Sequence, residues 1–511
     1  MSGIRFRYSG IVAFSANILS VLTGLIFSVV VTRRLSVQEF GTWQFYSSSL
    51  AYFALPSYIV NYWLTRNIGR GKSAVNSALT FNAVFSWLAT ILFFATSIVL
   101  TNYAYASNEV IIVFGIWLLT SYLSSTTDAA ASGSLPHLYG YGVGVFELAK
   151  VISGAILVAW LRLGLAGAVI SVDIALLLRF VLLYFLVPES LKGRIGFSEA
   201  FGWLRRFWIP LTSVLPGLIF SLDVILVTII TGNPTSAAYV RASTTFSMVI
   251  LFSNSLSIAL YPKLLSGGGR KEIEDSLKMV MMFAIPMFLG IFFLAEPLLY
   301  LLRAQYATAV WVLRAYATLH FLGTIKAILI TILLGTEKVD IDETATYKEF
   351  SSSSLMKVPM ADILNSSIYI GVILVSSFWL NSIGTEPVML SLSLAVIYIV
   401  AMLPFLLYYW RASKRRVEYS FPVGSLARYL AAGSVMVCFL LFFFPTGAMS
   451  EQIFNVMVSL LPVIGVSAIL YFSVLIAIDG ETRQLVVLVL ARIEKIIKDL
   501  QSPITQSDKG Q

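Results

Sequence analysis

Ionisable side chains interrupt long apolar runs of this sequence, among them Glu147, Lys150, Asp173, Arg179, Asp223, Arg241, Arg314, His320 and Lys326. In a run of ~20 apolar residues, the length that crosses ~30 Å of hydrocarbon, an ionised group costs roughly 2.5–3.5 kcal/mol at the bilayer centre. Each such group must therefore face a water-filled cavity or a partner of opposite charge. Two kinds of chemistry follow. An arginine on a cavity presents a planar fork that matches phosphate oxygens. A carboxylate on a cavity can bind a proton or cation on one side and release it on the other, biasing one helix arrangement over another. Asp223, Glu147 and Asp173 are the candidate coupling-ion residues, with Lys150 beside Glu147.

Structural roles compete with each of these. Glu147 and Lys150 are three residues apart, share a helical face and can neutralise each other. Asp173 can pair with Lys150 or Arg179 across helices, and Asp223 with Arg241. Arg303 and Arg314 suit interfacial positions with stems in the apolar layer, and His320 suits a satisfied core histidine. Asn17, Asn61 and Asn254 can hydrogen-bond one helix to the next. The one cysteine, Cys438, and two distant histidines, His137 and His320, provide neither a disulfide framework nor a zinc set, so no metal or cofactor is expected. No nucleotide-binding loop is present, which argues against ATP hydrolysis.

These residues need fourteen elements to hold them. The chain has 511 residues, 58% hydrophobic and 12% charged, about half the charged fraction of a soluble protein. Apolar blocks separated by short polar turns predict spans near 10–31, 43–64, 76–100, 110–130, 140–161, 164–187, 207–231, 236–262, 279–302, 308–335, 361–380, 386–409, 429–446 and 454–478. With the N-terminus inside and strict alternation, inside segments carry 26 of the 35 lysines and arginines and outside segments four, namely Arg33, Arg34, Arg162 and Arg303. That bias follows the positive-inside rule. It places both termini in the cytoplasm and accounts for the net charge of +9 without nucleic acid. The first apolar run is too long for a cleaved signal peptide. Residues 336–360 form the longest internal loop, acidic and then serine-rich, expected as a flexible connector. Residues 481–500 pattern as a basic amphipathic helix on the cytoplasmic membrane surface, followed by a disordered tail.

Ser20–Ser28 reads SVLTGLIFS and Ser213–Ser221 reads SVLPGLIFS, eight of nine positions agreeing. The copies fall six spans apart and run in the same direction. They predict two parallel-repeat six-helix lobes plus two C-terminal helices, a plan suited to alternating access. The domains expected are 1–190 (spans one to six), 191–410 (spans seven to twelve, with loop 336–360), 411–480 (spans thirteen and fourteen) and 481–511 (amphipathic helix and tail). Gly24 and Gly217 with Pro216 are expected to allow close packing or bending at matching points.

The segment TRRLSVQEFGTWQF (32–45) resembles the link after the first helix in the polysaccharide-exporter, O-antigen-flippase-like branch of the multidrug/oligosaccharidyl-lipid/polysaccharide superfamily. The matching positions are Leu35, Glu39, Gly41 and Trp43. Asp223, GNPTSAAYVRAS (232–243) and AEPLLYLLRAQYATAVWVLR (295–314) resemble the family's second half, and loop 336–360 departs from its usual short link.

The resemblance implies a flippase moving a polyprenyl-phosphate-type oligosaccharide across the cell membrane for surface polysaccharide or glycoprotein synthesis. It is expected to be no enzyme, to be driven by H+ or Na+ or downhill, to sit among membrane lipids, and to work alongside glycan-assembly proteins. The cleft would lie near spans one, two, seven and eight. Arg241 and Asp223 are the first substrate candidates and Arg33 and Arg34 the next, while Asn17, Asn61 and Asn254 could bond sugar hydroxyls. The rivals are an ion-coupled multidrug or small-molecule exporter of the same fold and a membrane-embedded glycan polymerase. Short outer loops with four basic residues count against the polymerase.

Overall fold

The computed structural model describes residues 19–484, apart from short stretches at 21–22, 70–71, 194–195, 197–201, 206, 258–259, 266, 338, 340–346 and 444–452. Among the described residues there is no strand, and eleven helices are long and apolar enough to cross a membrane. They account for spans three to seven and nine to fourteen. The other three expected spans are helical too, and each has a reason for falling short as one piece. Span one is described as helix over 23–34, and its start lies outside the described residues. Span two is two helices, Val37–Phe53 and Leu55–Gly69. Pro56, which has no amide hydrogen, occupies the first turn of the second piece, where a helix tolerates it. Span eight starts as Thr235–Ser247 and tightens into a 3-10 helix, Met248–Ser257. The chain is a polytopic all-α membrane protein.

Several helices outrun the blocks that announced them. Span eleven is Ser354–Ser382 and span twelve is Pro387–Arg416, 29 and 30 residues. At ~1.5 Å per residue, span twelve exceeds the hydrocarbon layer by ~15 Å. Its last turns, with exposed Arg411, Lys414, Arg415 and Arg416, extend beyond the apolar block. The loop expected at 336–360 is correspondingly shorter. It contains a helical turn, Tyr347–Ser352, and a buried Glu337 Oε2 accepts from the Ser354 amide at 2.7 Å, covering an open N–H at the start of span eleven. Span five ends in a π-helix, Ala155–Trp160, before a tight turn in which Arg162 and Gly164 both have φ of 56°.

The chain divides into two compact units: Met1–Val249 with Leu298–Leu319 and Glu337–Trp410, and Ile250–Pro297 with His320–Thr336 and Arg411–Gln511. The first unit contains spans two to seven and eleven whole, and span twelve as far as Trp410. Within it span six packs on spans four and five, span seven on span eleven, and Thr235–Ser247 on Val37–Phe53. In the second unit span nine, Arg270–Phe293, carries spans thirteen and fourteen, Val423–Phe443 and Ile453–Ile478. Gly433 lets span thirteen approach Leu289, where a Cβ would stand 2.5 Å from the leucine Cδ1. Tyr471 donates to the Met282 carbonyl at 2.9 Å, and ion pairs Lys278–Glu481 (2.7 Å) and Arg428–Asp479 (2.8 Å) tie the polar ends. Beyond residue 484 the expected amphipathic helix and tail lie outside the described residues.

Candidate functional site

The link after span one shows why its residue types recur together. Ser36 caps Val37–Phe53, and Glu39 answers with its carboxylate on the Ser36 amide at 2.7 Å, a reciprocal capping box. Leu35 is fully buried. Trp43 stands edge-on to Phe27 (5.9 Å) and Phe40 (6.2 Å). Gly41 faces the carbonyl of Pro234, and a Cβ there would fall on that oxygen. This close approach helps Thr235–Ser247, whose buried residues are mostly small (Ala237, Ala238, Ala242, Ser243), to pack on Val37–Phe53, while Ser236 donates to the Pro387 carbonyl of span twelve at 3.1 Å.

Arg241 points away from that packed seam. It is exposed, and among the described residues its guanidinium has no hydrogen-bond or salt-bridge partner. Thr245, one turn on, is half-buried and Met248 is exposed on the same side, so the open face of this short helix begins at the arginine. No ion pair joins Arg241 to Asp223 among the described residues. Asp223 is instead buried at 3% exposure and accepts from Tyr369 Oη of span eleven at 2.8 Å. Phe220, Tyr369 and Tyr398 pack round it with centroids 4.6–5.3 Å apart. Tyr52 of span two donates to the Leu218 carbonyl at 2.5 Å and lies 2.9 Å from Ser221 Oγ, linking spans two and seven.

Spans one, four, five and six hold a second constellation. Glu147 and Lys150 do pair, at 2.8 Å, and Glu147 also accepts from Ser20 (3.0 Å) and Thr23 (2.6 Å) of span one. Arg179 pairs with Asp128 of span four at 2.7 Å rather than with Asp173. Phe146 lies between the two cations, 4.8 Å from Lys150 and 5.8 Å from Arg179. Two cations thus serve two carboxylates, and among the described residues Asp173 has no cation. It is 7% exposed, accepts from Thr120 Oγ1 at 3.2 Å, and its Oδ2 has no hydrogen-bond partner among the described residues. A buried carboxylate so placed calls for a proton, a cation or water.

The remaining candidates separate. Asn61 donates to Ser125 Oγ and accepts from Asn82, both at 3.0 Å, and Asn82 reaches Thr126 at 2.7 Å, so Asn61 binds spans two, three and four together. Asn254 lies in the 3-10 segment with its Oδ1 unpartnered. Asn17 lies outside the described residues. Arg34 is exposed, whereas Arg33 is half-buried and donates to the Leu301 carbonyl at 3.1 Å. Arg303, expected as an interfacial side chain, donates to the Leu35 carbonyl at 2.7 Å. At the repeat, a Cβ added to Gly24 or Gly217 meets nothing within 4 Å. Close packing is therefore not the reason for either glycine.

Sequence reasoning missed the partners. Tyr369, Thr120, Ser20 and the Asp128–Arg179 pair lie 51 to 146 residues from what they touch, in another span, and no local pattern signals them. One signal was available. The single mismatch in the repeat is Thr23 against Pro216, and Thr23 is the residue that bonds Glu147.

No protein-family model matches the sequence, and no curated protein matches it. Solved structures do match in fold. A lipid II flippase, MurJ, in an inward closed conformation aligns with a TM-score of 0.64 at 14% identity, over 92% of this chain and 99% of that one. A MATE-family multidrug-resistance transporter of the MOP superfamily, inward-facing, aligns at 0.58 and 12% identity, over 80% and 98%. A MOP-superfamily transporter from Pyrococcus furiosus, described by a binding pocket of reverse polarity, aligns at 0.51 and 14% identity, over 80% and 95%. At these identities the likeness is one of fold: that of MOP-superfamily transporters and flippases.

Proposed function

We propose that this multi-pass membrane protein with a MOP-superfamily transporter fold is a flippase for an anionic, lipid-linked oligosaccharide. The observation that carries the reading is Arg241: an arginine in Thr235–Ser247, the first part of expected span eight, exposed, and with no partner for its guanidinium among the described residues. An unpaired arginine at membrane depth is costly unless it meets water and an anion. A polyprenyl phosphate or pyrophosphate supplies one with oxygens that fit the guanidinium fork. The alignment over 99% of a lipid II flippase supports this reading.

Asp223 supports the site from behind, as a buried carboxylate held by Tyr369 rather than a direct substrate contact. Asp173, the carboxylate without a cation, is the best placed to couple transport to H+ or Na+. The protein sits in the cell membrane with both termini in the cytoplasm, and the lobes 1–190 and 191–410 rock about the cleft.

The test is complementation of a flippase-deficient strain. Arg241→Ala abolishes surface-glycan export while the protein still accumulates in the membrane, and Arg241→Lys, which keeps charge without the fork, restores only part. Full export by Arg241→Ala overturns the assignment. Export of cationic dyes unaffected by Arg241→Ala and lost in Asp173→Asn would instead favour the ion-coupled small-molecule exporter.

A further inference from the structure

Two arginines at one end of the first unit are engaged in a reciprocal arrangement. Arg33, in the last turn of span one, donates through Nε to the carbonyl of Leu301 at 3.1 Å. Arg303, which follows Ala295–Leu302, donates through Nη1 to the carbonyl of Leu35 at 2.7 Å. Both acceptors lie at helix C-termini, where carbonyls lack partners and the helix dipole is negative. Arg33 therefore caps Ala295–Leu302, the helix before Arg303, and Arg303 caps span one, the helix that ends with Arg33 and Arg34. Thr32, fully buried, adds a longer bond to the Leu302 carbonyl at 3.4 Å.

The ground beneath the crossed arginines is tightly packed. Tyr306, fully buried, stands edge-on to Phe40 at 6.2 Å and to Tyr239 at 6.1 Å. Beside it Gly41 meets the Pro234 carbonyl. Segments 31–43, 232–239 and 298–306 thus converge here, the first from the first half of the sequence and the other two from the second half. Over this packed seam, the bonds from the Arg33, Arg303 and Thr32 side chains are polar and made to backbone oxygens. Such bonds exchange for water at little cost, so they can set the balance between closed and open without being the whole of the packing.

We propose that Arg33 and Arg303 form a latch that holds this end of the transporter closed and must release for the opposite access state. The inference rests on the flippase reading only in taking transport to require parting of the two halves at this end. Sequence topology places the end outside the cell.

The test uses the full chain carrying Cys438→Ser, with spin labels at Gln38→Cys and Gln305→Cys, two exposed positions flanking the latch. The label-to-label distance distribution is measured in reconstituted membranes. Arg33→Ala and Arg303→Ala should each raise the long-distance population about tenfold relative to the short one, which corresponds to ~1.4 kcal/mol. Arg33→Lys and Arg303→Lys, which preserve charge and folding, should give smaller rises. Distributions unchanged in all four variants would overturn the latch. Membrane-impermeant maleimide on intact cells separately reports orientation. Labelling of both cysteines places the latch outside. Labelling only after permeabilisation overturns that topology, while the distance readout still decides the latch.

Discussion

The Glu147–Lys150 pair allows its two possible roles to be separated by a double-mutant cycle. The pair is buried at 2.8 Å, and its members are unequally supported. Lys150→Met leaves Glu147 with the Ser20 and Thr23 hydroxyls at 3.0 and 2.6 Å. Glu147→Gln removes the negative charge and leaves the Lys150 ammonium with a neutral amide oxygen and the faces of Phe27 (5.6 Å) and Phe146 (4.8 Å). Removing one member of a buried pair costs ~3–5 kcal/mol because the other charge is stranded. Two hydroxyl donors hold Lys150→Met near the lower figure, ~3 kcal/mol. A cation–π contact of roughly 1–2 kcal/mol is weaker support, so Glu147→Gln lies near the upper figure, ~5 kcal/mol by the same range. The double variant strands nothing and should return to within ~1 kcal/mol of the parent. Thermal unfolding in detergent orders the four proteins, and glycan export in cells runs beside it. We expect the double variant to be stable and to export if, as proposed, the pair is structural and coupling lies at Asp173. Stability equal to the parent in both single variants would refute the burial argument. A double variant no more stable than the worse single variant would refute compensation, and a stable double variant that fails to export would move coupling to Glu147.

Two further substitutions test the same reasoning elsewhere. Gly41→Ala puts a methyl onto the Pro234 carbonyl and should cost ~1–3 kcal/mol as an overpacking change, whereas Gly24→Ala and Gly217→Ala, which meet open space, should leave unfolding within about 0.5 kcal/mol of the parent; melting curves decide between them. Asp173→Asn should fold normally, because Asn still accepts from Thr120, but export in vesicles should lose its dependence on an imposed H+ or Na+ gradient. Retained gradient dependence would remove Asp173 from the coupling role.

The sequence by itself determined the number of spans, the all-helical class and the residues worth testing. An apolar block of ~20 residues is a local property, and the cost of a charge within it is read from the block alone. The spacing of Glu147 and Lys150 likewise needed only the helical period. Even the capping box at Ser36 and Glu39 is written in four consecutive residues.

Only the tertiary structure decided what each buried charge meets. Arg179 chose Asp128 over Asp173, Asp223 met Tyr369 rather than Arg241, and Arg33 and Arg303 turned to backbone carbonyls. A side-chain partner depends on which helix faces meet and at what height, and those are fixed by packing across residues far apart in the chain. Backbone acceptors leave no trace in residue type at all. A hydrophobic pattern can therefore place a charge in the membrane, but the packed fold is needed to show whether that charge meets an opposite one or, like Arg241 and Asp173, has none among the described residues.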